Sequence, residues 1–413
     1  MVNHTGSNIQ DIKLQNRMLI LKLIATNHGF SRVDLAKVTG LSKMAVGKIV
    51  SELITCGMVN ETERTIPLSG TSAYGRRPIM LTMSQNSPCI CGMLIKRGLC
   101  QIVLANLDGS IFEQINIEYI YLENKDNLIE ILKDAFLELK KRTNRRILAI
   151  GISSLGPIDS SKGIILSPPY FYGIENLPIA SIMEEITSLP TYLVNDANAG
   201  ALAEKLYGIG KNISNFTYLH IMNGIGAGFI LHNTLYNGDS GQSGEIGHTS
   251  INFSGPKCDC GNTGCLDLYA NINSMRNRIK ELEPFYKNSP LLKLAEPSWC
   301  DFVDSGNSGD SLAITILDEF CSYISYALVD TLNLLDLSNI IVGYDSNTNG
   351  MIIEKILERK ISKSILSSKF REITLLHSGF DGNAPLIGSI ATIADKIFSK
   401  QLSLEELELP DLL

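Results

Sequence analysis

Residues 244–265 read GEIGHTSINFSGPKCDCGNTGC, and the pattern of this stretch organises the rest of the chain. Cys258, Cys260 and Cys265 crowd into one short segment, with His248 upstream of the first. Zinc takes four tetrahedral nitrogen and sulfur ligands, and three cysteines with one histidine make a closed structural set. Gly261 and Gly264 allow the tight backbone turns that such a knuckle needs. The bland alternative is three free thiols packed in a loop. Thiols this close together in a polar loop have no packing reason to be there. The other six of the nine cysteines sit mainly in apolar runs and read as core residues.

Working outward, polar residues flank the knuckle on both sides. Upstream, TYLVND (191–196) reads as a strand ending in Asn195-Asp196, and ANAGALAEKLYG (197–208) reads as the helix behind it. The carboxyl ends of strands are where α/β proteins place ligands. Glu245 and His248 lie inside the quoted stretch, and Asp267 follows Cys265 by two residues. Several carboxylates with an Asn and a His supply the fixed acceptors and donors that a polyol requires. Singly, each has a structural explanation, such as Asp196 capping the helix; only their convergence is informative.

Strand patterns at 89–95, 99–106 and 111–119 precede a helix at 127–142 and a strand at 147–155. Strands at 216–222 and 226–233, helices at 266–283 and 310–335, and strands at 339–345 and 371–379 repeat that order. Alternating strands and helices in two such halves imply two α/β lobes, with a ligand cleft between them.

The first eighty residues differ. NRMLILKLIATNH (16–28) reads as a helix with Leu19, Leu23 and Ile24 on one stripe, closed by Gly29. Ser31 and Asp34 form a capping box on a short helix over 31–38. After the Thr39-Gly40 turn, Ser42 caps a third helix that turns Val46, Ile49, Val50, Leu53 and Ile54 inward. Its opposite face carries Lys43, Met44, Gly47, Lys48 and Ser51. That arrangement is a helix-turn-helix whose second helix can enter a DNA major groove. Strands around Met58–Glu61 and Ile79–Leu81 flank a Gly/Arg tip, making a wing on which Arg76 and Arg77 reach phosphates or a minor groove. The predicted DNA contacts are Ser42, Lys43, Met44, Gly47, Lys48, Arg76 and Arg77. Small three-helix arrangements also serve as inert adaptors; the basic tip weighs toward DNA.

Length and charge set the outer bounds. The 413 residues suggest two to four domains, expected at 1–84, 85–196 (rejoined by a C-terminal helix at about 384–413) and 197–383. Hydrophobic residues are 44 % and charged residues 19 % of the chain, which is globular composition. No run approaches the roughly 18 apolar residues of a membrane span. The start MVNHTGSNIQDIKLQNR lacks a secretion-signal pattern, and odd, unpatterned cysteine usage argues against a disulfide framework. A reduced, cytoplasmic protein with no membrane partner is predicted. Residues 1–84 carry ten Lys/Arg and five Asp/Glu, leaving 26 and 38 for the remainder, within a net charge of -7. A basic head on an acidic body suggests an anionic partner for the head.

GEIGH followed by CxCGxxGC, with NDANAGALAE upstream and a glycine-rich strand pair between, resembles the ROK (repressor, open reading frame, kinase) family over nearly the whole chain. The winged helix places the resemblance with its transcriptional regulators. The resemblance implies a two-lobed actin-like, sugar-kinase-type (ribonuclease H-like) fold and zinc on His248, Cys258, Cys260 and Cys265. It also implies sugar contacts from Asn195, Asp196, Glu245, His248 and Asp267, the last standing where family members usually carry Glu. In the family's kinases, Asp196 would be the general base. Their first phosphate loop corresponds here to Gly92–Gly98, where Leu94 replaces an acid, Lys96 and Arg97 replace paired glycines, and Gly98 replaces a threonine. The second reads Met222–Gly228, without its first glycine and its threonine, and Gly343-Tyr344 replaces a Gly-Gly pair. Phosphoryl transfer depends on positioning and charge stabilisation, so no ATP use and no catalytic residue are expected.

The sequence therefore points to a transcriptional repressor of carbohydrate genes. Its expected partners are double-stranded operator DNA and a sugar or sugar-phosphate effector, with a homodimer, or a tetramer built from it, reading a two-fold site. The alternatives are an active ATP-dependent sugar kinase that also binds DNA, and a DNA-binding protein with a vestigial sugar site under the control of partner proteins.

Overall fold

A computed structural model describes residues 9–402 except 28, 64–78, 170, 223 and 367. The chain divides into two compact units. One comprises Met1–Ile152, Ile179–Tyr192 and Ser389–Leu413, the other Ser153–Pro178 and Leu193–Gly388. The division thus differs from the sequence boundaries. The head groups with the lobe that follows it, and Ser153–Pro178, read as part of that lobe, belongs with the second unit.

In the first unit the head comprises α1 (Ile9–Thr26), α2 (Arg32–Thr39), α3 (Lys43–Thr55), and strands β1 (Phe30–Ser31), β2 (Val59–Glu63) and β3 (Ile79–Met83). The Ser31–Asp34 capping box forms: Ser31 Oγ accepts from Asp34 N at 3.2 Å and Asp34 Oδ2 accepts from Ser31 N at 3.0 Å. Gly40, at φ 71, ends α2 in a left-handed conformation suited to glycine. Ser42 Oγ then caps α3, accepting from Ala45 N at 3.1 Å. Val46, Val50 and Leu53 are fully buried. The inward face of α1 corrects the sequence reading. It runs through Met18, Leu21, Ile24 and Ala25, while Leu19 is 40 % exposed. The helix begins earlier than expected, so its stripe is set by a longer span. The wing strands β2 and β3 pair antiparallel, and β1 joins them in the order β1-β3-β2. Arg76 and Arg77 lie outside the described residues.

The same unit holds most of a five-stranded sheet, β4 (Cys89–Lys96), β5 (Leu99–Ala105), β6 (Ile111–Glu118), β7 (Ile147–Ser154) and the strand Thr191–Asn195, with helices α4 (Lys125–Lys141) and α5 (Ile179–Thr187). Its order, from the last strand, is 5-4-1-2-3. Every residue of β7 is buried, as a strand covered on both faces requires. The C-terminal helix (Ala384–Phe398) supplies part of that cover. A Cβ on Gly151 would lie 2.0 Å from Ser389 O and one on Gly92 2.5 Å from Ser389 Oγ, so glycine is what lets this helix press against the sheet.

The second unit contains α6 (Asp196–Leu206), α7 (Ile272–Leu282), α8 (Trp299–Asn307), α9 (Ser311–Leu335) and α10 (Ile352–Ser364). Its sheet is built from Phe216–Ile221, Ile225–Leu231, Thr234–Leu235, Asn339–Gly343 and Thr374–His377. In their own chain order these strands lie 3-2-1-4-5, the arrangement of the first sheet. The first three are antiparallel, and the fourth and fifth run parallel to the first. Helix α9 is the one described helix long and apolar enough to cross a membrane. Leu312, Ile316, Phe320, Ile324, Leu328 and Leu332 recur every fourth residue along it and are buried in the unit's core. The single helix expected over 266–283 is instead a short 3-10 turn, Leu266–Leu268, followed by α7. Asn271 causes the break: its Oδ1 caps α7 by accepting from Ser274 N at 2.9 Å, and its Nδ2 donates to Asp267 O at 2.7 Å.

Candidate functional site

Both flanks of the quoted stretch meet at the start of strand Ile225–Leu231, within the second unit. Helix α6 lies on this strand, and the glycines of GIGAG permit it. A Cβ on Gly228 would sit 2.6 Å from Ala197 O, and one on Gly226 2.9 Å from Ala197 Cβ. Close helix–strand packing is therefore reason enough for glycine at these two positions.

Asn195, not Asp196, is the N-cap of α6. Its Oδ1 accepts from Ala197 N at 2.9 Å and Asn198 N at 3.4 Å. Asp196 is the first helical residue, and its Oδ1 also accepts from Ala197 N, at 2.8 Å. The Asn195 amide nitrogen approaches Gly156, where a Cβ would stand 2.9 Å from Asn195 Nδ2 and 2.7 Å from Glu245 Oε1. Gly156 thus fits between the amide and the carboxylate. No motif surrounds it in the sequence to mark it.

Asp267 reaches the same strand from the other side. Its Oδ1 accepts from Ile225 N at 3.2 Å and packs over Gly247, where a Cβ would meet it at 2.5 Å. Burial, then the Asp196 charge, then the Asp267 charge, push the Glu245 carboxyl up to about 7. Glu245 is therefore divided between its acid and carboxylate forms near neutrality, able to donate to one hydroxyl or accept from another. A fixed amide and three neighbouring carboxyls form a strongly polar surface rich in hydrogen-bonding groups.

The knuckle is tied directly to this surface. His248 Nδ1 lies 3.7 Å from Cys258 Sγ, and Cys260 Sγ lies 3.6 Å from Cys265 Sγ. All four ligand atoms lie within 4.8 Å of one another. Arms of about 2.3 Å make tetrahedron edges of about 3.8 Å, so the two measured edges fit a zinc-sized ion held by this donor set. Backbone bonds shape the loop: Cys258 N donates to Asn262 O and Gly261 N to Cys258 O, both at 2.9 Å. Gly261 and Gly264 take φ +93 and +68, and a Cβ on Gly264 would fall 1.8 Å from Asn252 O.

The three segments expected to correspond to the kinase loops have structural contacts of their own. In the first unit, Lys96 pairs with Leu99 across a two-residue Arg97-Gly98 turn, and Tyr119 braces it by donating from its OH to Lys96 O and from its N to Gly98 O. At the second segment, Asp267 Oδ1 accepts from the Ile225 amide at 3.2 Å. At the third, Tyr344 is fully buried, donates to Glu354 Oε2 at 2.8 Å and meets the His377 ring edge-on. His377 in turn bridges Glu354 at 2.7 Å and Asp381 at 2.8 Å. Sequence patterning does not reveal this Tyr–Glu–His–Asp chain because its members are scattered over four separate segments.

In the head, Lys43, Met44, Lys48 and Ser51 of α3 all face solvent, as does Ser42. Gly47 has no neighbour within 4 Å of where a Cβ would stand.

A family model described as ROK family matches residues 98–396. The xylose repressor of Bacillus subtilis (strain 168) is 30 % identical over 390 residues, covering 93 % of this chain and 96 % of that one. Glucokinase of Thermotoga maritima is 28 % identical over 298 residues, covering 71 % of this chain and 93 % of the enzyme. The crystal structure of a ROK family transcriptional regulator, a homolog of the E. coli MLC protein, matches with a TM-score of 0.76 at 27 % identity. It covers 96 % of this chain and 99 % of that one.

Proposed function

Because the chain belongs to the ROK family, we propose that it is a DNA-binding transcriptional repressor of carbohydrate genes, responsive to a sugar or sugar derivative. One observation carries this: the similarity to a sugar repressor runs nearly the length of both chains, so it takes in a DNA-binding type of head and a hydroxyl-seeking body together.

In this reading Asn195, Asp196, Glu245 and Asp267 bind the sugar hydroxyls, and Glu245 switches between donor and acceptor as the hydroxyl pattern demands. His248 serves twice. Its Nδ1 faces the sulfurs, which leaves the other ring nitrogen for a hydroxyl. Zinc on His248, Cys258, Cys260 and Cys265 would cross-link the GEIGH turn to the knuckle, fixing Glu245 and Asp267 on either side of it. The exposed face of α3 and Arg76 and Arg77 of the wing bind the operator, and a homodimer matches its two-fold symmetry. Sugar acts by favouring one of two states that differ in DNA affinity.

The direct test is to recover fragments of the organism's genomic DNA on the full-length protein, with and without each member of a sugar panel headed by xylose. Recovered fragments should flank carbohydrate genes and be released by one sugar. Fragments unrelated to carbohydrate genes, held regardless of sugar, would refute the reading.

A kinase reading is favoured by the retention of Asn195, Asp196, Glu245 and His248, and by the glucokinase match. The tight Arg97-Gly98 turn and the occupied Ile225 amide weigh against it. ADP release from ATP over a hexose panel should stay at background; turnover abolished by Asp196→Asn would establish the kinase instead.

A further inference from the structure

The exposed stripe of α3 is Lys43, Met44, Lys48, Ser51 and Thr55. Its members are not equivalent. Ser51 Oγ donates to Gly47 O and Thr55 Oγ1 to Ser51 O, both at 2.9 Å, so each hydroxyl hydrogen is spent on the helix itself. Lys43 and Lys48 are flexible point charges, suited to phosphates and tolerant of sequence.

Met44 is the apolar member of this stripe. It is 84 % exposed, on a helix whose Val46, Val50 and Leu53 are fully buried. Met44 is the second residue of α3, at the end of a recognition helix that meets base edges. Gly47, one turn on, has open space where a side chain would stand, so no bulk beside Met44 holds the groove away.

A thioether chain offers no strong hydrogen bond. In a major groove its one favourable contact with a base edge is apolar, and the one apolar group there is the thymine 5-methyl. Resting on the repressor reading above, we propose that Met44 is a specificity-determining residue that reads a thymine methyl in each operator half-site. The flanking lysines position the helix, and Met44 tells thymine from cytosine.

The probe is a duplex enriched by the full-length protein from a randomised library, with thymines replaced one at a time by deoxyuridine. That change deletes the methyl and keeps the pairing. The wild-type protein should bind about fourfold more weakly when the methyl at one symmetric position is lost. Met44→Ala should bind the parent duplex correspondingly weakly and lose nothing more on the same replacement. Its salt dependence should be unchanged, since no phosphate contact is removed. Met44→Leu should keep the methyl sensitivity, and both variants should melt with the wild type because the residue is exposed.

Wild-type protein indifferent to every replacement would overturn the assignment, as would Met44→Ala that still senses the methyl. So would a Met44→Ala protein that changes its oligomeric mass while keeping its base preference, which would make Met44 a protein contact. A protein that enriches no sequence at all would bring down the DNA reading itself and this inference with it. That result is distinct from enrichment with silent methyls, which removes the inference alone.

Discussion

At the scale of single residues, charge and its neighbours decide what the site can do. Burial first, and then the neighbouring charges of Asp196 and Asp267, push the Glu245 carboxyl up to about 7. The convergence of these side chains was legible in the sequence, because GEIGH, NDANAGALAE and the residue after CxxGC are local patterns. Gly156, squeezed between Asn195 and Glu245, was not, since nothing in its own vicinity demands glycine. His377 offers a residue-level test. Its hydrogen bond to Glu354 leads in raising its pKa above the usual histidine value, with Asp381 adding to it. A raised histidine pKa means the folded state holds the proton longer than the unfolded chain. The stabilisation is therefore complete below about pH 6.5 and is lost as pH rises through the raised value. The side chain is partly exposed, so the effect is modest. Replacing His377 with Gln should lower Tm by roughly 2–4 °C at pH 6, and the gap to the wild type should narrow at pH 9. A gap that stayed constant or widened with pH would show that the imidazolium contributes nothing.

At the scale of elements, caps and knuckles were readable and buried faces were not. The Ser31–Asp34 box and the Ser42 cap form as expected, because capping depends on residues three apart. The stripe of α1 was misassigned because the helix starts at Ile9, ahead of where the apolar pattern becomes strong. The interruption at Leu266–Leu268 is hidden in the sequence because apolar spacing continues through it and only the Asn271 cap marks the new start. Strand β1 is two residues long and exists only through its pairing with β3. The knuckle carries the prediction at this scale. Metal analysis of the purified protein should find about one zinc per chain. Cys260→Ser should lose the zinc and, with it, the sugar response, because the GEIGH turn would no longer be tied to the loop bearing Cys265 and Asp267. Full sugar response in metal-free protein would dissociate the knuckle from the site.

At the scale of the whole molecule, two sheets of the same strand order sit in two units. Periodicity and composition foretold the repeated α/β order. They did not foretell that the chain would pass between the units at Ser153, Ile179, Leu193 and Ser389, because contacts distant in sequence decide such exchanges. A fold by itself leaves function open, and function has to be argued from the site. The local features that bear on it are a braced two-residue turn at Arg97-Gly98, an Ile225 amide bonded to Asp267, and a buried Tyr344. Together with the exposed basic face of α3, these features are compatible with the proposed repressor, which senses a sugar and acts on DNA. The most direct measurement is fluorescence anisotropy of a labelled duplex from the recovered genomic fragments, titrated with the full-length protein at fixed salt, with and without each sugar. One sugar should weaken the Kd within the roughly 5- to 150-fold range typical of coupled sites. Asp196→Asn should bind the same duplex and ignore that sugar. A Kd unmoved by every sugar at saturation would contradict the account.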